Sequence, residues 1–314
     1  MYTNKHIEPM LIGSQQGAFD DENFIYELKL DGIRCIAYLD EKQVQLRNKR
    51  DLNLIDKFPE LQTIYKQVKK PCILDGELFV YKDQQIDFFA IQKRALSSSH
   101  IKQRIYAKQI PATFTAFDIL YVEDENVCDQ PLYKRKQYLH KLVKENERIN
   151  CSRYIEKEGC ELFQLCVERN LEGIVAKRKD SRYTMGKRTK QWIKCKNLLD
   201  EDYVVCGYIL KKESMVSLVL AQYRDGELVS KGHVTLGVHL SYIQTHTTPS
   251  NISPFSQIRK EDAQAKWITP LLCASVSFME YTQQGGMRQP VLKGFREDKR
   301  VEDCIDLWYE QQRM

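Results

Sequence analysis

Glu27-Leu28-Lys29-Leu30-Asp31-Gly32-Ile33-Arg34 is the stretch on which the reading of this chain turns. In an extended strand, alternate side chains face opposite ways. Glu27, Lys29 and Asp31 therefore share one face, and Leu28 and Leu30 share the other. Gly32 permits a turn immediately afterwards. A lysine at a strand end among inward-facing polar neighbours is placed as a potential nucleophile. To act as one it must lose its proton, against a reference pKa of about 10.4, and nearby cations and desolvation both work in that direction. Taken alone, Lys-x-Asp-Gly fits a surface lysine on an amphipathic strand equally well.

Outward from this stretch the chain alternates between two patterns. Segments 24–30, 34–39, 44–47, 72–80 and 113–120 are rich in β-branched and aromatic residues and separated by polar turns, which predicts strands. Helices are predicted over 59–68, opened by Pro59, over 132–144, with Leu132, Leu139, Leu142 and Val143 on one face, and over 158–168. Two more strands are predicted at 173–177 and 191–196. This is an α+β pattern of antiparallel sheets. The polar segment 197–202 reads as a joint. After it, strands crowd at 203–210, 215–223, 227–234 and 272–281, with Asp225-Gly226 as a hairpin turn and a looser stretch at 247–257. Several short strands within so few residues predict a small all-β barrel of the OB-fold type. The expected domains are 1–199 and 200–314.

A length of 314 residues suits two such domains, and 42% apolar with 29% charged residues suits soluble, globular ones. No apolar run approaches the roughly 20 residues of a membrane span. The start, MYTNKHIEPM, has no signal-peptide pattern. The ten cysteines are scattered without a C-x-x-C pair, and the six histidines show no metal spacing. Reduced, mostly buried thiols and a cytoplasmic location (bacterial cytosol or nucleoid) are expected. The net charge of +5 says little, but its placement says more: Lys177, Arg178, Lys179, Arg182, Lys187, Arg188, Lys190, Lys194 and Lys196 form a basic block opposed only by Asp180.

Four further motifs follow Lys29 in order: Leu74-Asp75-Gly76-Glu77, Thr115-Ala116-Phe117-Asp118-Ile119-Leu120, Glu172-Gly173-Ile174-Val175-Ala176-Lys177 and Trp192-Ile193-Lys194-Cys195-Lys196. Each has a bland explanation as a turn, core or amphipathic edge. Together, in this order, they resemble the motifs of covalent nucleotidyltransferases, and the chain resembles ATP-dependent DNA ligases, in particular the ligase module of bacterial end-joining ligase D and its stand-alone relatives. The resemblance runs from Glu8-Pro9-Met10-Leu11, through Ser181-x-Tyr183-x-x-Gly186-x-Arg188, to Gly286-x-Arg288-x-Pro290-x-x-Lys293-Gly294-Phe295-Arg296-Glu297-Asp298-Lys299.

That resemblance implies a nucleotidyltransferase (adenylation) domain followed by an OB-fold domain, and a role for each matching residue. Lys29 is the nucleophile that becomes lysyl-AMP. Glu27 reads the adenine amino group, and Phe117 stacks on the adenine face. Arg34 contacts ribose and phosphate. Arg47 is the arginine of the next motif, here Leu46-Arg47-Asn48-Lys49 where the family usually reads Ser-Arg-x-Gly. Glu77 and Glu172 are the carboxylates of the ribose and metal, Lys194 and Lys196 bind the α-phosphate, and Arg296, Asp298 and Lys299 orient pyrophosphate. ATP is the implied donor, with Mg2+ as the metal and Mn2+ as its alternative. The implied substrate is nicked or broken duplex DNA, joined in DNA repair by a monomer, with a Ku-like end-binding protein or a polymerase as partner. Two carboxylates with a divalent ion, and two lysines at alternate positions of one strand, suit a transfer that depends on positioning and charge neutralisation. The rivals are an mRNA capping-type guanylyltransferase, an RNA ligase, and a catalytically dead OB-fold nucleic-acid-binding protein.

Overall fold

Along Ile33–Leu39 the side chains part to two sides: Cys35, Ala37 and Leu39 pack into one core, and Ile36 and Tyr38 into another. That division repeats across the first of two compact units into which the chain separates, Met1–Asn197 and Leu198–Met314. The computed structural model describes residues 6–82, 85–211, 215–236, 240–296 and 299–313.

The first unit opens with strands β1 (Leu11–Gln15), β2 (Phe24–Leu28), β3 (Ile33–Leu39), β4 (Val44–Asn48), β5 (Cys72–Lys82) and β6 (Gln85–Ile86). Helices α1 (Phe88–Leu96) and α2 (His100–Gln109) lead to β7 (Ala112–Val122) and β8 (Glu125–Asn126). Then come α3 (Leu132–Leu142), β9 (Ile149–Cys151), β10 (Tyr154–Glu156), α4 (Gly159–Glu168), β11 (Gly173–Arg178) and β12 (Arg188–Lys196). One sheet has the order β4-β3-β5-β7-β8, with β6 and β9 attached, and the other has the order β1-β12-β11-β2-β10. Pairing is antiparallel except for β1 with β12 and β7 with β9. Between the sheets lie Ile36, Tyr38, Ile73, Leu120, Val175 and Trp192. Outside the first sheet, α1 and α3 bring Ile91, Leu139 and Leu142 onto Leu74, Phe114 and Ala116. Outside the second, α4 brings Cys166 onto Tyr26, Ile174 and Ala176. Strands covered on both faces read as nearly continuous apolar runs, as 173–176 does and as 72–80 does on either side of Asp75-Gly76-Glu77.

The second unit pairs β13 (Leu199–Leu210), β14 (Val216–Arg224), β15 (Glu227–Leu236), β16 (Lys266–Phe278) and β17 (Val291–Arg296) in the order β15-β14-β13-β16-β17, all antiparallel. The hairpin between β14 and β15 turns at Asp225 and Gly226, both at positive φ (50° and 86°), as a two-residue hairpin turn requires. Two short helices, α5 (Leu240–His246) and α6 (Leu307–Arg313), accompany these strands.

Two local expectations need correction. Residues 59–68 do not form an α-helix but two 3-10 turns, Pro59–Leu61 and Ile64–Gln67. Leu61 and Ile64 are the buried side chains, and their spacing of three matches the 3-10 period. The stretch from Leu199 to Asp202 is not a joint but the start of β13, paired with Phe278 back to Ser275. Its carboxylates are tolerated in a strand because each finds a partner: Asp200 accepts from Ser277, Glu201 from Gln222 at 2.9 Å, and Asp202 from Lys299 at 2.8 Å. Asp75, Gly76 and Glu77 lie inside β5, within the strand expected over 72–80.

Candidate active site

Strand register builds the site on the face of the second sheet that looks toward the first. Val175 of β11 pairs with Lys194 on one side and Glu27 on the other, and Lys177 pairs with Trp192 and Ile25. Gly173 pairs with Lys196, and its carbonyl accepts from the Lys29 backbone N–H at 2.8 Å. Lys29 therefore stands in a row with Gly173 and Lys196, and Glu27 in the next row with Val175 and Lys194. Gly173 holds φ +126°, and a side-chain carbon there would lie 2.1 Å from the Cys195 carbonyl oxygen. Only glycine lets the Lys29 and Lys196 strands flank it so closely.

Glu172, just before β11, joins the ends of that row. The Lys29 ammonium donates to its carboxylate at 2.9 Å, and Lys196 lies 3.6 Å from the same group. The Glu172 side chain is only 5% exposed, so this pairing is weakly screened. Burial pulls the Lys196 ammonium down, as do Lys29 and Lys194, against the pull of Glu172. From the first sheet, β5 presents Glu77, half-buried and with no hydrogen bond or ion pair among the described residues. Burial pushes its carboxyl up to about 8; Lys29 and Arg34 oppose that rise, and Glu172 and Asp75 add to it.

The state of Glu77 sets a pH dependence. A carboxyl raised in the folded protein holds its proton better folded than unfolded. Its contribution to stability is full below its ordinary pKa and is lost as pH climbs through about 8. In urea denaturation of the metal-free chain from about pH 5 to about pH 9, the parent should lose stability more steeply than Glu77→Gln, and equal slopes would contradict this assignment.

Beside this cluster, Arg34 of β3 makes a two-pronged contact with Asp75, from Nε at 3.1 Å and Nη2 at 2.6 Å. Burial lowers the Arg34 pKa, but Asp75 more than compensates and holds it above its ordinary value. Tyr183 donates to the same carboxylate at 2.6 Å. Phe117 of β7 meets Trp192 edge-on at 6.0 Å, and the Lys177 ammonium lies 4.3 Å from both ring centroids. Lys177 also donates to Glu27 at 3.1 Å, which ties Glu27 and Phe117 into one group.

The structure thus brings Lys29, Glu77, Glu172 and Lys196 into one electrostatic cluster, with Lys194 one row away. It places Arg34, Phe117 and Glu27 together through shared partners. Arg47 stands apart from these contacts: it pairs with Asp51 at 3.1 Å, with His6 and with Gln45, and lies over Tyr38. In the second unit Lys299 and Arg296 share Asp202, at 2.8 and 3.6 Å. Asp298 lies outside the described residues. Asp75, Tyr183, Lys177 and Lys136, which approaches Glu27 at 2.5 Å, were not among the expected site residues. Lys136 had a legible signal, because it sits on the apolar face of α3, four residues after Leu132 and three before Leu139.

Among the described residues no three His, Cys, Asp or Glu side chains gather into a metal cage. Glu77 and Glu172 instead fit the sparse protein set that Mg2+ uses, one or two carboxylates completed by phosphate oxygens and water. Glu77, with no ion pair among the described residues, is the carboxyl a cation would claim. No helix among the described residues is long and apolar enough to cross a membrane.

Comparison with known proteins places the chain. A family profile described as "ATP dependent DNA ligase domain" matches residues 9–196, and one described as "ATP dependent DNA ligase C terminal region" matches residues 211–299. The chain is 29% identical over 291 residues to the SPbeta prophage-derived DNA ligase-like protein LigB of Bacillus subtilis, covering 92% of this chain and 99% of that one. It is 30% identical over 299 residues to DNA ligase C1 of Mycolicibacterium smegmatis, covering 89% and 84%. Among solved structures, mycobacterial DNA ligase D complexed with ATP and MES shares the fold with a TM-score of 0.56 at 23% identity, over 97% of this chain and 99% of that one.

Proposed function

This chain belongs to the ATP-dependent DNA ligase family, and on that premise we propose that Lys29 carries the adenylyl group with which the enzyme seals 5′-phosphate/3′-hydroxyl breaks in duplex DNA. The observation that supports this most is the placement of the Lys29 amine, 2.9 Å from Glu172 in a row of side chains that ends at Lys196.

In the first step the Lys29 Nζ attacks the α-phosphorus of ATP, the bond to pyrophosphate breaks, and Glu172 is the carboxylate within reach of the departing proton. Lys194 and Lys196 neutralise the charge that builds on the α-phosphate. Phe117, backed by the buried Trp192, supplies an aromatic face for the base, Glu27 an acceptor for its amino group, and Arg34 a cation for ribose and phosphate. Glu77 and Glu172 would hold Mg2+, which when bound neutralises phosphate oxygens. In the second step a 5′-phosphate oxygen of the broken strand attacks the adenylyl phosphorus, and the P–N bond to Lys29 breaks. In the third, the neighbouring 3′-hydroxyl attacks the activated 5′-phosphate and AMP leaves. Residues 1–199 are the adenylation domain in this reading. Residues 200–314 are an OB-fold domain whose Arg296 and Lys299 orient pyrophosphate. The likeness to ligase D points to end joining beside a Ku-like end-binding protein or a polymerase.

Incubation of the chain with ATP and Mg2+, followed by peptide mass analysis, should place one AMP on Lys29. A nicked duplex should then be sealed. A guanylate adduct in place of the adenylate, or no adduct, would overturn the reading. Grip on the duplex comes mainly from phosphate contacts, so DNA affinity should fall by about a thousandfold or more between about 50 and 200 mM salt, with little sequence preference. Gel-shift titrations at several salt concentrations check this.

A further inference from the structure

Nothing in the three steps above uses Lys136 or Lys177, yet both are buried, at 1% and 2% exposure, against a carboxylate that is itself 2% exposed. Lys136 approaches Oε1 of Glu27 from α3 at 2.5 Å, and Lys177 approaches Oε2 from β11 at 3.1 Å. One buried negative charge thus faces two buried ammoniums, and the Phe117 and Trp192 ring centroids each lie 4.3 Å from that of Lys177. Buried ion pairs are seldom the most stable solution for a core, since apolar residues of similar volume serve as well or better. A doubled cation on one carboxylate, next to the aromatic face, therefore asks for a role in the pocket.

We propose that Lys136 and Lys177 are positioning residues that set which base the pocket accepts, by holding Glu27 ionised. The proposal rests on the reading of Glu27 as the residue that faces the purine 6-position and of Lys29 as the nucleophile. An ionised carboxylate only accepts hydrogen bonds, whereas a protonated one also donates. Ionised Glu27 can take a hydrogen bond from a 6-amino group, but it meets a 6-oxo group acceptor to acceptor and leaves both unpaired. A site built to hydrogen-bond a substrate discriminates strongly when its buried polar group is left without a partner. Protonated Glu27 would donate to a 6-oxo group and lose that discrimination. Burial alone would favour the protonated form, and the two lysines reverse that tendency. Ser152 also hydrogen-bonds to Glu27, so with about four lone-pair sites on the carboxylate the two ammoniums and this hydroxyl leave one for the base.

The test compares nucleotidyl transfer to Lys29 from ATP and from inosine triphosphate, which differs by a 6-oxo group, as the ratio of kcat/KM values in the full chain. The parent should prefer ATP. In Lys136→Met/Lys177→Met the preference should fall at least tenfold, and in Lys136→Arg/Lys177→Arg it should persist. Glu27→Gln, whose amide can donate, should lower the preference by itself, and adding either lysine replacement to it should change nothing further. If the double Met variant melts like the parent, transfers AMP and keeps the parent ratio, the proposal is overturned while lysyl-AMP formation stands. If that variant does not fold, the single Lys→Met variants, with and without Glu27→Gln, decide by the same ratio. If the parent itself places no AMP on Lys29, it is the underlying reading that falls.

Discussion

Lys29→Arg lowers transfer of AMP from ATP to the protein by at least about a thousandfold, as loss of a nucleophile does elsewhere. The substitution isolates the chemistry because it leaves most else in place. An arginine at position 29 still meets the buried Glu172 carboxylate, which sits 2.9 Å from the present ammonium, so the fold and its melting temperature should change little. Guanidinium, however, does not deprotonate in a protein and offers no lone pair to phosphorus. The measurement is single-turnover formation of the protein–AMP adduct with labelled ATP. A second substrate divides the pathway: a nick that already carries AMP on its 5′-phosphate needs no lysine nucleophile. Lys29→Arg should therefore seal that nick at a rate much nearer the parent's than its adenylation rate. Loss of both reactions together would mean that the residue holds the site in shape instead of attacking ATP.

The reach of the sequence is uneven for physical reasons. Strand alternation put Lys194 and Lys196 on one face, because a residue on a paired strand has its facing side fixed by parity, whereas Lys29 and Glu172, just past β2 and just before β11, were marked by the ordered motifs. The register that turns them into a row, β2 beside β11 beside β12, is a long-range pairing that no local pattern carries. Helix α2 escaped because Gln103 is its buried residue and Ile101 and Ile105 are exposed, which leaves no apolar stripe to read. Its cap was visible, with Ser99 accepting from Lys102, as was the Asp87 cap of α1. Strand β17 escaped because Val291–Arg296 has no fully buried side chain, so no alternation betrays it. Lys136 was passed over because a lysine on an apolar face reads as an interruption of the stripe, although an interruption that the helix preserves is itself evidence of a buried partner.

Asp118→Ala should cost about 3–5 kcal/mol of stability in the first unit, the range measured when one partner of a buried ion pair is removed. Asp118 and Arg135 are both 0% exposed. The guanidinium donates to Asp118 from Nε at 2.8 Å and from Nη2 at 2.9 Å, while Nη1 donates to the Gln130 and Ser181 carbonyls at 2.6 and 2.8 Å. Asp118 also accepts from the Ile119 N–H at 2.9 Å. Deleting the carboxylate leaves a fully buried guanidinium without its charge partner and removes an acceptor of the Ile119 N–H. Hydrogen exchange of β7 peptides through a urea titration measures the loss within this unit, where a global probe would mix it with the second. Arg135→Met/Asp118→Leu, which removes both charges and keeps volume, should be far less destabilised than the sum of the two single variants. A sum that is simply additive would mean that the pair contributes only by packing. The consequence reaches the site, because Phe117 precedes Asp118 on the same strand. A β7 that shifts to relieve Arg135 displaces the ring beside Lys177 and Trp192, so adenylation should weaken in step with protection of β7 while Lys29 itself is untouched.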